Sequence, residues 1–385
     1  MPTAIVSGPL ANKPFKGGAA WTRMSWALGL RQLGFDVCFV EQIDPAACVD
    51  ESGAPAAFEQ SANLAFFRRV TRRFGLAGSA ALVCGDRVEG LPAADLLDRA
   101  ADAELLLNLT GHLTLEPLKS RPRRKVFIDQ DPGYTQLWHA EGVGGARLAG
   151  HDFYFTVGEN VGTPGCTVPT GGIRWRPVRQ PVLLDEWPVC KPDDPNRFTT
   201  VASWRGPYGP VTQGGATLGP KAHEFRKFAD VPGRVPAATF EIALDIHLAD
   251  AKDAELLRGH GWRLADPKAV AGDPDAFRDY VQGSGAEFSV AQAVYVRTGS
   301  GWFSDRTVRY LASGKPAVVQ DTGFGRNYPV GRGLRAFRTP EEAAAAVEAV
   351  RGDYEAHCRA ARELAERYFA AEEVLGRLVE EVAGP

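Results

Sequence analysis

Residues Gly299–Gly325 read GSGWFSDRTVRYLASGKPAVVQDTGFG, and the reading of the whole chain turns on them. A Gly/Ser loop leads into a helix expected over Asp305–Ala312. Ser313-Gly314-Lys315-Pro316, an apolar strand at Ala317–Val319 and a second glycine-bearing loop follow. A Ser/Gly loop before a helix presents backbone N–H groups to an anion, and the helix dipole adds to the attraction. Ser300, Gly301, Trp302 and Ser304 make the first loop, Asp305 and Arg306 open the helix, and Asp321, Thr322 and Gly323 make the second. Arg306 is a candidate bidentate phosphate contact. Asp305 is a ligand candidate or an ordinary first-turn carboxylate.

Working outward, the same alternation of short apolar runs and helical patterns fills the chain. Strands are expected at Thr3–Val6, Asp36–Val40, Ala80–Val83, Leu105–Leu109, Lys125–Asp129 and Phe153–Val157. A second series runs through Phe198–Ala202, Ala238–Ala243, Ala286–Val290 and Ala317–Val319. Helices are expected at Ala19–Leu33, Phe58–Phe74, Leu91–Ala103, Gly219–Ala229, Asp253–His260 and Asp275–Gln282, and from Pro340 to the end. Apolar runs without alternation, separated by helices, mark parallel strands buried on both faces. The Gly/Pro-rich stretch Gly158–Pro195 lacks helical periodicity and is expected to connect the two series. The fold class is therefore α/β, with two Rossmann-like domains at 1–180 and 196–365 facing a cleft, and a closing helix at 366–385. Ligands in such sheets sit beyond the carboxyl ends of the strands.

Composition narrows the function. At 385 residues the chain exceeds one ordinary core, and 44% hydrophobic with 24% charged residues is a globular balance. A net charge of −3 provides no electrostatic footprint for nucleic acid. Arg68, Arg69, Arg72 and Arg73 form one basic cluster at helical spacing, which reads as a solvated face. The six cysteines show no metal-ligand or disulfide spacing, so no metal site is expected. No apolar run is long enough to span a bilayer, and no signal peptide is visible, so a cytoplasmic protein is expected. Nothing selects an oligomeric state.

Several residues carry chemistry. Asp129 and Asp131 follow an apolar strand in FIDQDPG, and a carboxylate there can act as general base on a hydroxyl; a turn-forming role before Pro-Gly is the alternative. His112, after the strand ending at Leu109, is a competing base or a solvated loop histidine. Glu41 ends the strand of the first β-α-β unit, where dinucleotide enzymes place a ribose-binding acid, although no GxGxxG precedes it. Gly17 and Gly18 end the loop that feeds the first helix, as a candidate acceptor or phosphate loop. Trp204 and Trp302 are the aromatic candidates for stacking on a sugar or base.

The succession of loop, helix, "LASGKP", strand and "DTGFG" resembles the donor half of GT-B glycosyltransferases, with "LGFDVCFVE" similar to their first β-α-β unit and "AARELAERYFAAEEVLGRLVEEV" to their closing helices. The resemblance implies transfer of a sugar from a nucleotide-sugar donor such as a UDP-sugar to an acceptor. It also implies that basic residues after the first strand of the second half, here Arg205 and Lys221, neutralise the leaving diphosphate without a metal or other cofactor. Retaining members often carry two glutamates seven residues apart around this helix; either Trp302 and Arg309 stand at those positions or the motif is absent, with Asp305, Arg306 and Asp321 as candidate substitutes. A nucleotide-sugar epimerase of the same fold and a non-catalytic nucleotide-sugar or glycan binder are the competing readings.

Overall fold

The computed structural model describes residues 1–143 and 147–384. Eight strands build the first sheet: Thr3–Ser7 (β1), Asp36–Ile43 (β2), Ala80–Cys84 (β3), Arg87–Gly90 (β4), Ala103–Leu109 (β5), Arg124–Asp129 (β6), Phe153–Thr156 (β7) and Trp175–Pro177 (β8). Their order is β4-β3-β2-β1-β5-β6-β7-β8, and only the β3–β4 pair is antiparallel. A second sheet uses Arg197–Ser203 (β9), Thr239–Asp245 (β12), Arg263–Ala265 (β13), Ala286–Ser289 (β14), Ala317–Gln320 (β15) and Leu334–Phe337 (β16), ordered β13-β12-β9-β14-β15-β16 and all parallel. Between β9 and β12 lies a small antiparallel hairpin, Val211–Gln213 (β10) and Ala216–Leu218 (β11).

In each sheet the first strand of the half is flanked on one side by the next strand of that half and on the other by a later one. That is the switch point at which α/β sheets bind ligands. The carboxyl ends of β1, β5 and β6 face those of β9 and β12 across one cleft.

Differences from expectation are local. Ser61 divides the segment expected as one helix, capping Ala62–Arg73 by accepting from the Leu64 N–H at 3.1 Å. The segment Gly219–Ala229 is helical only over Lys221–Phe225, followed by a 3₁₀ turn at Arg226–Phe228. β8 lies inside the Gly/Pro-rich stretch expected to be connector, and pairs with β7. Three helices, Pro340–Gly352, Tyr354–Phe369 and Ala371–Ala383, make the tail. The last returns to the first half, where a Cβ on Gly29 would lie 2.4 Å from Leu375 Cδ1. Val182 and Ala370 form a parallel bridge beside it.

The two halves share an apolar seam. Trp21 on the first helix (Gly17–Gln32) packs edge-on against Trp187 at 5.0 Å and Phe74 at 4.8 Å, and Trp187 meets Phe277 of the second half. Trp21 Nε1 donates to the Pro274 carbonyl at 2.7 Å. Arg73 ion-pairs with Asp275 and Glu186, and Arg68 with Glu89, so part of the basic cluster of that helix is structural.

Candidate active site

Between the sheets lies a cleft of about 1040 Å³, lined by the loops at the carboxyl ends of β1, β5, β6, β9 and β12 and by the start of helix Asp305–Ala312. Among the described residues, the non-glycine residues with left-handed backbone are Phe15, Thr110 and Arg147, at φ of 62°, 57° and 47°. All three line this cleft. Such strain persists only where the surroundings enforce it, and it concentrates at functional sites; Thr110, β-branched, is the costliest of the three.

The first-domain wall is built on the loop after β1. Glu41, fully buried within β2 two residues before its end, accepts the backbone N–H groups of Leu10, Ala11 and Asn12 at 2.8, 2.5 and 2.8 Å. Burial pushes its carboxyl up to about 7 against those three N–H groups. Its oxygens are thus spent on shaping the loop, not presented to a ribose. Gly17 and Gly18 have a packing reason: a Cβ on Gly17 would lie 2.0 Å from the Asp273 carbonyl oxygen, and one on Gly18 would lie 3.0 Å from the Phe277 ring. Both still line the cleft.

Asp129 and Asp131 separate in role. Asp129 is fully buried and accepts from Thr135 and Thr156 hydroxyls at 2.7 Å each, from Gln136 Nε2 at 2.8 Å and from the Asp131 N–H at 3.1 Å. It organises the turn and does not line the cleft. Asp131 does, and accepts from the Tyr208 and Tyr295 hydroxyls at 3.1 Å each. Burial, then the Asp129 charge, pushes its carboxyl up to about 6. His112 also lines the cleft, 3.8 Å from Glu41 Oε1, and its Nε2 is buried without a hydrogen-bond partner. Burial, then Arg147 and Arg23, holds the imidazole down at about 4, so it is neutral near pH 7.

On the opposite wall the Gly/Ser loop spends its N–H groups internally. Ser300 N donates to the Tyr295 carbonyl, Gly301 N to the Thr322 carbonyl at 2.8 Å and Trp302 N to Ser300 Oγ. Asn160 of the first domain donates to the Gly299 and Gly323 carbonyls at 3.0 Å each, stitching both glycine loops together. Gly301 and Gly323 are left-handed, and a Cβ on either would strike Asn160. Ser304 caps the helix by accepting from the Arg306 N–H, and the Thr322 hydroxyl donates to the Trp302 carbonyl. Asp321 pairs with Arg338 at 2.6 Å, outside the cleft lining. The loops expected to cradle an anion directly instead form the floor that presents Trp302, stacked on Tyr295 at 4.3 Å and 17°.

The cations fare differently. Arg306 is largely buried: its Nε donates to Glu287 at 2.7 Å, Nη1 to the Val201 carbonyl at 2.7 Å and Nη2 to the Ser289 hydroxyl. The fork expected to clamp phosphate is thus engaged within the sheet. Lys221 sits near Arg306, Glu287 and Asp305 with no ion pair among the described residues, and burial, then Arg306, draws its amine down to about 7. Arg205 lines the cleft, 61% exposed, in a bidentate pair with Asp250. Asp305 accepts from Thr22 at 2.6 Å and from Arg309, tying the two halves. Arg309, at one of the two glutamate positions, is buried against Trp187 and Ser25 and faces the seam. Trp204 is 1% exposed and donates to Asp253 at 2.7 Å, a core residue at the cleft's edge.

Sequence reasoning missed Arg23, Lys13, Tyr208 and Tyr295. Arg23 interrupts the apolar pattern of the first helix, its Nε is buried without a partner, and Asp305, Asp131 and Glu41 all act on it. Tyr208 follows the Ser203-Trp204-Arg205-Gly206 motif and crosses to the first domain, edge-on to Trp138 at 4.8 Å. Polar residues on a buried helix stretch, and an aromatic just beyond a basic loop, were the available signals.

No protein-family model matches the chain, and no curated protein matches its sequence. Among solved structures, Anabaena HepE in complex with UDP-glucose is 11% identical, covers 99% of each chain and superposes with a TM-score of 0.60. An alpha-glucosyltransferase in complex with UDP and a 13-mer DNA is 10% identical over 100% of each chain, with a TM-score of 0.59. A Listeria monocytogenes protein described as a putative UDP-N-acetylglucosamine 2-epimerase is 12% identical over 98% of this chain and 95% of that one, with a TM-score of 0.50. At these identities the likeness establishes the GT-B fold.

Proposed function

We propose that the chain is a glycosyltransferase that moves a sugar from a nucleotide-sugar donor, with UDP as the nucleotide, to an acceptor hydroxyl bound across the cleft. The supporting observation is the division between the walls. Arg205 and Arg306 line the cleft from the second sheet, with Lys221 behind them beside Arg306, opposite the Asp131 carboxylate and His112 imidazole of the first. Proteins of this fold hold UDP or UDP-glucose, which is why UDP is the nucleotide of choice.

Transfer breaks the bond between the sugar's anomeric carbon and the diphosphate oxygen, and forms one to the acceptor oxygen. The diphosphate leaves with the electron pair and the acceptor gives up a proton. Lys221 and Arg205 stabilise the departing charge, so the reaction proceeds without a metal. Asp131 or His112 receives the proton; both line the cleft and both are unprotonated, wholly or mainly, near neutral pH. Trp302, backed by Tyr295, offers its ring face to the sugar or base. Ser300, Gly301, Ser304, Thr322 and Gly323 hold that ring in place, and Asp305 keeps the walls in register.

No helix among the described residues is long and apolar enough to cross a membrane. The cysteines are free, with the sulfurs of Cys48 and Cys84 3.9 Å apart, which suits the reducing cytoplasm where we place the protein.

A thermal-shift screen of nucleoside diphosphates and nucleotide sugars tests the reading. A ligand at about a hundred times its Kd stabilises the folded state by about 2.7 kcal/mol. UDP and at least one UDP-sugar are expected to raise Tm; no shift with any member of the panel would remove the proposal.

A further inference from the structure

The first-domain wall carries more positive charge than its carboxylates can use. Lys13, Lys16, Arg23 and Arg147 all line it, whereas Asp131 is its sole lining carboxylate among the described residues. Lys16 is spent on Asp245 at 2.7 Å. The other three have no carboxylate within ion-pair distance among the described residues, and Asp131 is already held by two tyrosine hydroxyls. The cations also act on one another's surroundings: Arg147 and Arg23 both act on His112, and Arg23 and Lys16 repel Lys13 against the attraction of Asp131.

Two buried nitrogens in this group, Arg23 Nε and His112 Nε2, have no hydrogen-bond partner. Both residues line the cleft, so a ligand there can give Arg23 Nε an acceptor and His112 Nε2 a partner of either kind, according to its tautomer. Arg147 is held over the site by a left-handed backbone, with Nη1 3.4 Å from the His112 carbonyl oxygen. Its own carbonyl oxygen would lie 2.8 Å from a Cβ on Gly111. The segment carrying His112 and the segment carrying Arg147 are thereby fixed against each other.

We propose that Lys13, Arg23 and Arg147 form a subsite for a phosphate group on a small acceptor, on the wall opposite the donor's diphosphate. A phosphate monoester brings about two negative charges and three acceptor oxygens, enough for several cationic donors at once. The acceptor is small because donor and acceptor share one cavity, which the Tyr208–Trp138 contact spans from wall to wall. Naming this ligand an acceptor rests on the glycosyl-transfer reading; the phosphate subsite does not.

Inorganic phosphate is the probe, because it carries the charge without committing the sugar. It is titrated calorimetrically into the protein saturated with UDP, alongside glucose 6-phosphate, glucose and a short oligonucleotide. The comparison is a Lys13→Ala/Arg147→Ala double variant, whose two side chains are exposed and whose loss leaves the core intact. Phosphate and glucose 6-phosphate are expected to bind the UDP complex, glucose at least about tenfold more weakly, and the double variant to lose about tenfold or more in phosphate affinity while keeping UDP affinity and Tm. Phosphate that binds only by displacing UDP, glucose that matches glucose 6-phosphate, or a double variant with unchanged phosphate affinity would each overturn the subsite. An oligonucleotide binding more tightly than glucose 6-phosphate would overturn the small acceptor. Phosphate binding that depends on Lys13 and Arg147 in a protein that ignores UDP would uphold the subsite and remove the donor reading.

Discussion

Lys221→Met is the perturbation that exposes the donor site most sharply, because the amine it removes is not fully charged before a ligand arrives. Burial and the neighbouring Arg306 hold that amine at about 7, so in the free protein near pH 7 about half of the molecules carry the proton. A diphosphate beside it favours the charged form and raises its pKa, so binding takes up a proton. Affinity is then highest below the free pKa and weakens as pH rises, until the pKa of the complex is passed. The protonated fraction falls from about one half at pH 7 to about 3% at pH 8.5, which predicts a loss of roughly fifteenfold, or about 1.6 kcal/mol, in UDP affinity. Isothermal titration in two buffers of different ionisation enthalpy reads the uptake directly: about half a proton per UDP at pH 7 for the wild type and none for Lys221→Met. The isosteric change keeps the aliphatic stem packed and removes only the charge. A wild-type affinity flat between these pH values, with no proton uptake, would refute the placement of Lys221 at the diphosphate.

The acid/base assignment has its own signature. If Asp131 accepts the proton, turnover falls as pH drops through about 6, and if His112 does, the fall comes near 4. Asp131→Asn should lower kcat by about a hundredfold or more with little change in UDP affinity, and wild-type rates would refute its role. Asp129→Ala strands Thr135, Thr156 and Gln136 donors, and should cost about 2–4 kcal/mol in urea denaturation; a change below about 1 kcal/mol would contradict its structural role. Gly17→Ala drives a methyl into the Asp273 carbonyl and should cost about 1–3 kcal/mol, with a Tm equal to wild type as the opposing result.

The parallel strands were legible because both of their faces are covered: LLLNL at Leu105–Leu109 and KVFID at Lys125–Asp129 needed only an uninterrupted apolar run. Short strands without such runs, RVEG at Arg87–Gly90 and WRP at Trp175–Pro177, are made by pairing at the sheet edges and carry no local signal. The site was legible in its neighbourhoods more than in its contacts. Asp131, His112, Arg205, Trp302 and Asp305 do converge on one cleft. But Ser300–Trp302 looks like an anion nest only until Asn160 and Thr322, distant in sequence, claim its polar groups. Arg306 likewise reads as a phosphate clamp until Glu287 and Ser289 close on its fork. Arg23 was invisible because its meaning comes from Asp131, Glu41 and Asp305, which only the folded chain brings beside it.

The central claim, sugar transfer across this cleft, is tested most directly by following UDP release from a UDP-sugar panel in the presence of mixed small acceptors, with an Asp131→Asn/His112→Asn double variant as control. The account predicts acceptor-dependent UDP release, a mass gain of one sugar on an acceptor, and a collapse of both in the variant. A protein that binds a UDP-sugar yet returns it intact with every acceptor, or converts it to its epimer without releasing UDP, would contradict it.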